Sequence, residues 1–131
     1  MDAFASELFR GNPAAVVPLE KWLPDAVLLS ISLENNLSET AFFVPSGNGY
    51  HIRWFTPVVE VALCGHATLA SAHIVFSELG FDGKMLKFQS KSGLLTAIRG
   101  EFGYVMDFPA ESSDFCDSPK PLIEGLGFEP D

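Results

Sequence analysis

Two short segments of this 131-residue chain place acid–base groups at structural junctions. In Asn36-Leu37-Ser38-Glu39-Thr40-Ala41-Phe42-Phe43 a carboxylate stands immediately before a β-branched and aromatic run. In Cys64-Gly65-His66-Ala67-Thr68-Leu69-Ala70-Ser71-Ala72-His73 a thiol and an imidazole flank the glycine that opens a nearly all-apolar stretch. A carboxylate partly desolvated against an apolar strand can both take and return a proton near neutral pH, which makes Glu39 the sharpest candidate for chemistry. Spacing alone also allows Glu39 to be a solvated turn residue. His66 falls at the start of the predicted helix, where the unpaired amides of Gly65, His66 and Ala67 and the helix dipole favour an anion such as a substrate carboxylate. The competing reading is a histidine that merely hydrogen-bonds a loop. His73, about two turns further down the helix, reads as a satisfied core histidine.

Patterns for other chemistries are missing. His66 and His73 lack the i, i+4 spacing of paired ligands on one helix, and no cysteine or histidine cluster carries metal-ligand spacing. There is no Gly-x-Gly-x-x-Gly and no phosphate-loop pattern, so neither a metal nor a cofactor is expected. A Cys64–His66 nucleophilic pair lacks a third orienting group, and residues two apart need not face each other.

The elements that must position these groups follow from periodicity and punctuation. Ala14 to Val17 is a short apolar run closed by Pro18, and Asn12-Pro13 reads as the turn leading into it. Pro24-Asp25 signals a helix start, and Val27, Leu28, Ile31 and Leu33 continue at helical spacing up to Asn35-Asn36. Thr40 to Val44 and Tyr50 to Thr56 form a hairpin across Ser46-Gly47-Asn48-Gly49, with Tyr50, Ile52 and Trp54 on one face and Arg53 outward. From His66 to Leu79 almost no polar face remains before the stop at Gly80, so this helix must be wrapped on most sides. Met85 to Phe88, Leu94 to Arg99 and Tyr104 to Phe108 read as a meander separated by Lys91-Ser92-Gly93 and Gly100-Glu101-Phe102-Gly103. Strands around a buried helix define an α+β fold. Beyond Pro109, Glu111-Ser112-Ser113-Asp114 and Ser118-Pro119-Lys120-Pro121 form a polar connector before a short helix near Leu122 to Leu126.

With Phe9-Arg10-Gly11-Asn12-Pro13-Ala14-Ala15-Val16-Val17 and Arg53-Trp54-Phe55-Thr56-Pro57, the two segments resemble the PhzF-like isomerases of phenazine biosynthesis, whose fold is related to diaminopimelate epimerase. The resemblance runs in unbroken order from Met1 to about Pro109. It implies a barrel-like antiparallel sheet curled around one central helix, with two such domains facing each other across a cleft. Residues 1–109 match the first domain, and 110–131 form the connector toward the second. It also implies that Glu39 transfers the proton and that the Gly65-His66 motif, with Ser38 and Ala67 alongside, binds substrate and supports catalysis. In the related epimerases and racemases a Cys-Gly pair before this helix provides a thiolate base, which makes Cys64 a rival for the role. The family's opening strand carries several residues before the Asp matched by Asp2, so a late start codon is expected. The second domain's Asp-Pro-x-Thr-Gly-Ser-like motif does not occur in this sequence.

Composition bounds the rest. The chain is 47% hydrophobic and 19% charged, enough apolar material for one globular core. A net charge of -9 with scattered basic residues argues against a nucleic-acid partner. No run approaches the roughly 20 apolar residues of a membrane span, and Met1-Asp2-Ala3-Phe4 lacks signal-peptide features, so a cytoplasmic location is expected. Cys64 and Cys116 read as free thiols. The expected function is cofactor-independent proton transfer on a small carboxylate, incomplete without a second wall. The alternatives are a non-catalytic binding or assembly module, working as a homodimer or with a second-domain chain, and a Cys64-dependent epimerase or racemase.

Overall fold

The computed structural model describes residues 1–7, 9–110, 112 and 116–129. The expected acidic connector at 111 and 113–114 lies outside them. The strands are β1 (Asp2–Ala3), β2 (Asn12–Pro13), β3 (Ala15–Pro18), β4 (Thr40–Ser46), β5 (Gly49–Phe55), β6 (Glu60–Val61), β7 (Met85–Ser90), β8 (Gly93–Gly100) and β9 (Gly103–Asp107). The helices are α1 (Asp25–Asn35), α2 (Gly65–Ser77) and α3 (Lys120–Leu126). The main sheet runs β3-β4-β5-β7-β8-β9, with β6 beside β5, and the short β1–β2 pair stands apart.

The α+β fold with a sheet curled around one helix is as expected, but the sheet is mixed rather than antiparallel. β3 runs parallel to β4 and β5 parallel to β7, while β4–β5, β7–β8 and β8–β9 are antiparallel. Each parallel pair is joined by a helical crossover, α1 in the first and α2 in the second. Both crossovers step the same way across the sheet, yet β5 and β7 point opposite to β3 and β4. Connections of one hand must then deliver their helices to opposite faces. The side chains of β4 show this residue by residue. Ala41 and Phe43 pack with Ile52, Trp54 and the α2 residues Ala67, Ala70 and Val75, whereas Phe42 turns the other way onto Leu28 of α1 and Phe55.

α2 contacts β3 and β9, the two ends of the strand order, so the sheet bends around it. Its small inward residues Ala67, Ala70, Ser71 and Ala72 allow that close wrap, and Val75 and Phe76 are buried while Ile74 is half-buried. Burying such a surface is what holds a helix this apolar in place, at about 25 cal/mol per Å² of apolar area removed from water. The helix ends at Ser77, two residues before the expected Leu79; Gly80 then takes a left-handed conformation (φ 67°) and the Phe81 amide donates back to the Val75 carbonyl at 3.2 Å.

Arg53 departs from expectation. The face opposite Ile52 and Trp54 is the one covered by α1, so Arg53 is largely buried there rather than outward. Its guanidinium lies over the Trp22 and Phe55 rings and donates to Glu60 (2.8 and 2.9 Å) and Asp25 (2.9 Å). Lys91, from the β7–β8 turn, also pairs with Glu60. One network therefore ties α1, β5, β6 and the meander together.

Candidate functional site

Asn36 closes α1 in a left-handed conformation (φ 50°), and the chain doubles back through Leu37 and Ser38 to enter β4 at Thr40. The buried Thr40 hydroxyl accepts a hydrogen bond from Asn35 Nδ2 at 3.2 Å, which anchors the turn to the end of the helix it leaves. Glu39 is thereby pinned at the mouth of the sheet, partly exposed, with β4 fixing its backbone on one side.

The same mouth receives the start of α2. Cys64 is its N-cap in extended conformation (φ -147°, ψ 114°), and no side chain caps the first turn. The Cys64 carbonyl accepts the Thr68 amide (3.3 Å) and the Thr68 hydroxyl, so the helix begins cleanly at Gly65. Gly65 is exposed and a Cβ there would meet nothing within 4 Å, leaving open space beside the first-turn amides.

Here Glu39 and His66 meet. Glu39 Oε2 lies 3.5 Å from His66 Nε2, and Ser38 Oγ lies 3.4 Å from the same nitrogen. The other imidazole nitrogen, Nδ1, is 3.4 Å from Cys64 Sγ. With the thiol protonated and donating to Nδ1, Nε2 carries the ring proton, with the Ser38 hydroxyl as its hydrogen-bond partner and the Glu39 carboxylate beside it. The two contacts to Nε2 are long for hydrogen bonds between nitrogen and oxygen, whereas 3.4 Å is an ordinary separation for the thiol and imidazole.

Cys64 belongs to the core cluster around α2, turned toward packing as well as toward His66. Burial pushes its thiol up to about 11, outweighing the opposing pull of the Ala67 and His66 amides. That runs against a thiolate base: the helix terminus that would stabilise Cys64 as an anion is overridden by desolvation. Ala67 is fully buried, backbone included, and its amide is turned to Cys64. His73 is hydrogen-bonded as expected, its Nδ1 3.0 Å from Tyr104 Oη with the two rings edge to face, but it is half-buried and not in the core. Arg10 is exposed, 3.9 Å from the exposed Glu7.

The fold also assembles what sequence spacing did not announce. One ligand atom each from Glu39, Cys64 and His66 lie within 4.8 Å of one another, a carboxylate, thiol and imidazole set suited to a divalent cation. A search for ligand pairs along one helix misses it because Glu39 arrives from another element, 25 positions before Cys64.

The surroundings are open. A cavity of about 600 Å³ lies further along α2, lined by Leu69, Ala70 and His73 together with Met1–Ser6 and the β9 edge, and does not include Glu39, Cys64 or His66. In the segment between β5 and α2, Val58, Val59 and Leu63 are exposed, Val58 at 79%. No described helix is long and apolar enough to cross a membrane.

Residues 1–121 match the family of phenazine biosynthesis-like proteins, PhzC-PhzF. An uncharacterised isomerase of Pseudomonas aeruginosa is 50% identical over 127 residues, covering 97% of this chain and 49% of that protein. Among solved structures, a PhzF-family phenazine biosynthesis protein from Enterococcus faecalis has a TM-score of 0.77 at 55% identity, covering 79% of this chain and 40% of the other. A phenazine biosynthesis PhzC/PhzF protein from Clostridium difficile has a TM-score of 0.81 at 39% identity, covering 98% of this chain and 50% of the other. The chain thus spans about half the length of the curated relatives it matches.

Proposed function

Because the chain belongs to the phenazine biosynthesis-like PhzC-PhzF family, we propose that it supplies the acid–base wall of an isomerase that moves a proton on a small cyclic or amino-acid-like carboxylate. The observation that carries this reading is the approach of Glu39 Oε2 to His66 Nε2, 3.5 Å apart, at an uncapped helix start. The first-turn amides of α2 receive the substrate carboxylate. Glu39 removes a proton from carbon, becomes a carboxylic acid, and returns the proton at a conjugated carbon. His66, donating through Nε2, holds Glu39 in place before transfer and stabilises negative charge that develops on the substrate afterwards. The substrate leaves with the proton and electron count it brought, so the reaction calls on no redox cofactor.

A second wall faces this one in our reading, since Val58, Val59 and Leu63, from the segment between β5 and α2, are apolar and exposed while the Glu39 and His66 side chains keep 22% and 10% of their surface open. Water exclusion and an opposing polar group belong to a facing surface, a second domain or a second copy. The same exposed apolar residues support a second reading, a non-catalytic assembly module that uses this surface for pairing alone.

Solvent-proton exchange into a panel of small cyclic and amino-acid-like carboxylates, followed in deuterated water, tests the first reading. The chain alone should exchange weakly, and a fusion to a family second domain should exchange well. In that fusion Glu39→Gln should cut the rate at least about 100-fold, roughly 2.7 kcal/mol of barrier. Exchange that survives Glu39→Gln removes Glu39 from the mechanism, and a fusion that folds yet exchanges nothing favours the assembly reading.

A further inference from the structure

We infer that Glu39, Cys64 and His66 form a binding site for a thiophilic divalent cation of the zinc class, and that a bound cation holds the acid–base groups out of reaction. The ligand types are those zinc takes, one thiolate, one imidazole and one carboxylate, with a fourth position left for water. The geometry is close to what a tetrahedral ion needs. Ligand atoms around such an ion sit about 3.3–3.7 Å apart. Cys64 Sγ and His66 Nδ1 are already 3.4 Å apart, and the whole set lies within 4.8 Å. Glu39 lies against the other ring nitrogen, Nε2, so closing on an ion at Nδ1 asks its carboxylate to swing round toward Cys64, a movement open to a partly exposed side chain ahead of a strand.

The three ligands are also held from different directions. Cys64 and His66 come from the cap and first turn of α2, which is packed along its length inside the sheet, and Glu39 comes from the turn anchored by Asn35 and Thr40. Binding has a defined proton balance. The Cys64 thiol gives up its proton to solvent as the sulfur–metal bond forms, while His66 binds as neutral imidazole and Glu39 as carboxylate. Nothing is oxidised or reduced. The inhibitory consequence rests on the proposed proton transfer, since an ion that holds Glu39 and the His66 ring occupies both groups that reaction uses. The binding claim stands without it.

The test uses this chain, reduced and metal-free. Cobalt(II) is the spectroscopic probe and zinc the calorimetric one, titrated in two buffers of different ionisation enthalpy. The expected result is one ion per chain, a sulfur-to-cobalt charge-transfer band, and release of a proton near neutral pH. Cys64→Ser should abolish the band and weaken zinc binding at least tenfold, and Glu39→Gln should weaken it about tenfold while keeping the band. Cys116→Ser should change neither. If Cys64→Ser fails to fold by circular dichroism, Glu39→Gln and Cys116→Ser still decide the matter. Absence of one-to-one binding, a band that disappears with Cys116→Ser, or zinc affinity unchanged in Glu39→Gln overturns the proposal. Undiminished exchange by the fusion in the presence of zinc, with no ion bound, would count against this site and leave the acid–base reading standing.

Discussion

At the scale of single residues, Cys64 sets the character of the site by staying a thiol. Its sulfur contacts the one nitrogen of His66 that does not face Glu39, so a small buried group orients the larger ring. Burial that raises its pKa to about 11 also protects it from alkylation, because the thiolate is the reactive form. Cys116 is exposed and Cys64 buried. In native protein at pH 8, iodoacetamide should therefore label Cys116 first and reach Cys64 quickly only after denaturation; peptide mass spectrometry of a timed series checks the order. The sequence made Glu39, Cys64 and His66 visible as candidates because each sits at a junction that propensity can locate. Their convergence was expected from the family resemblance and not from spacing, since a contact between residues 39 and 66 depends on how α2 is laid against β4. Arg53 misled for a similar reason: strand alternation placed it correctly opposite Trp54, but nothing local says that this second face is covered by α1.

At the scale of elements, the hairpin, the meander and both long helices were legible from turn residues and periodicity, α1 to within a residue of its observed Asp25–Asn35. The two parallel pairings were not, because a strand's own pattern does not name its neighbour. The Arg53 network that braces these elements makes a pH prediction. The Arg53 guanidinium beside Glu60 holds its carboxyl down at about 2, against 4.5 for a free glutamate, with Lys91 adding to the effect. A depressed carboxyl contributes its stability above pH 4.5 and loses it as pH falls toward 2. Denaturant midpoints should accordingly fall across that window in the native chain and fall less steeply in Glu60→Gln. At pH 7 the variant should be about 1–2 kcal/mol less stable, the modest net worth of a partly solvated ion pair. A second prediction concerns Gly49, where an added Cβ would press on the Lys87 backbone carbonyl across the β5–β7 seam. Gly49→Ala should cost about 1–3 kcal/mol in urea unfolding, as overpacking against backbone does.

For the whole molecule, the curled sheet encloses a core and leaves several apolar side chains outside it in solvent. The apolar side chains Val58, Val59 and Leu63 between β5 and α2, and Phe4 and Phe102 near the 600 Å³ cavity, are exposed. Such patches favour association, so light scattering should show the apparent mass of this chain rising with concentration, and Val58→Ser with Val59→Ser should suppress the rise without lowering thermal stability. A mass independent of concentration in both proteins would separate these valines from any pairing surface.

The β5–β7 seam also sets an order in time. The β4–β5 hairpin and the β7–β9 meander are each built from neighbours in sequence and can form early. Joining them requires closing residues 56–84, at an entropic cost of about 3 kcal/mol beyond a constant term, in return for only two residue pairs, Tyr50 with Phe88 and His51 with Gln89. That joining becomes favourable when α2 seats in the curve of the sheet and buries its apolar surface. Glu39 meets His66 only then, so the reactive cluster is among the last contacts made. Pulsed deuterium labelling during refolding should protect the hairpin and meander amides before those of the first turn of α2, and a half-folded chain should contain every catalytic candidate and none of their geometry.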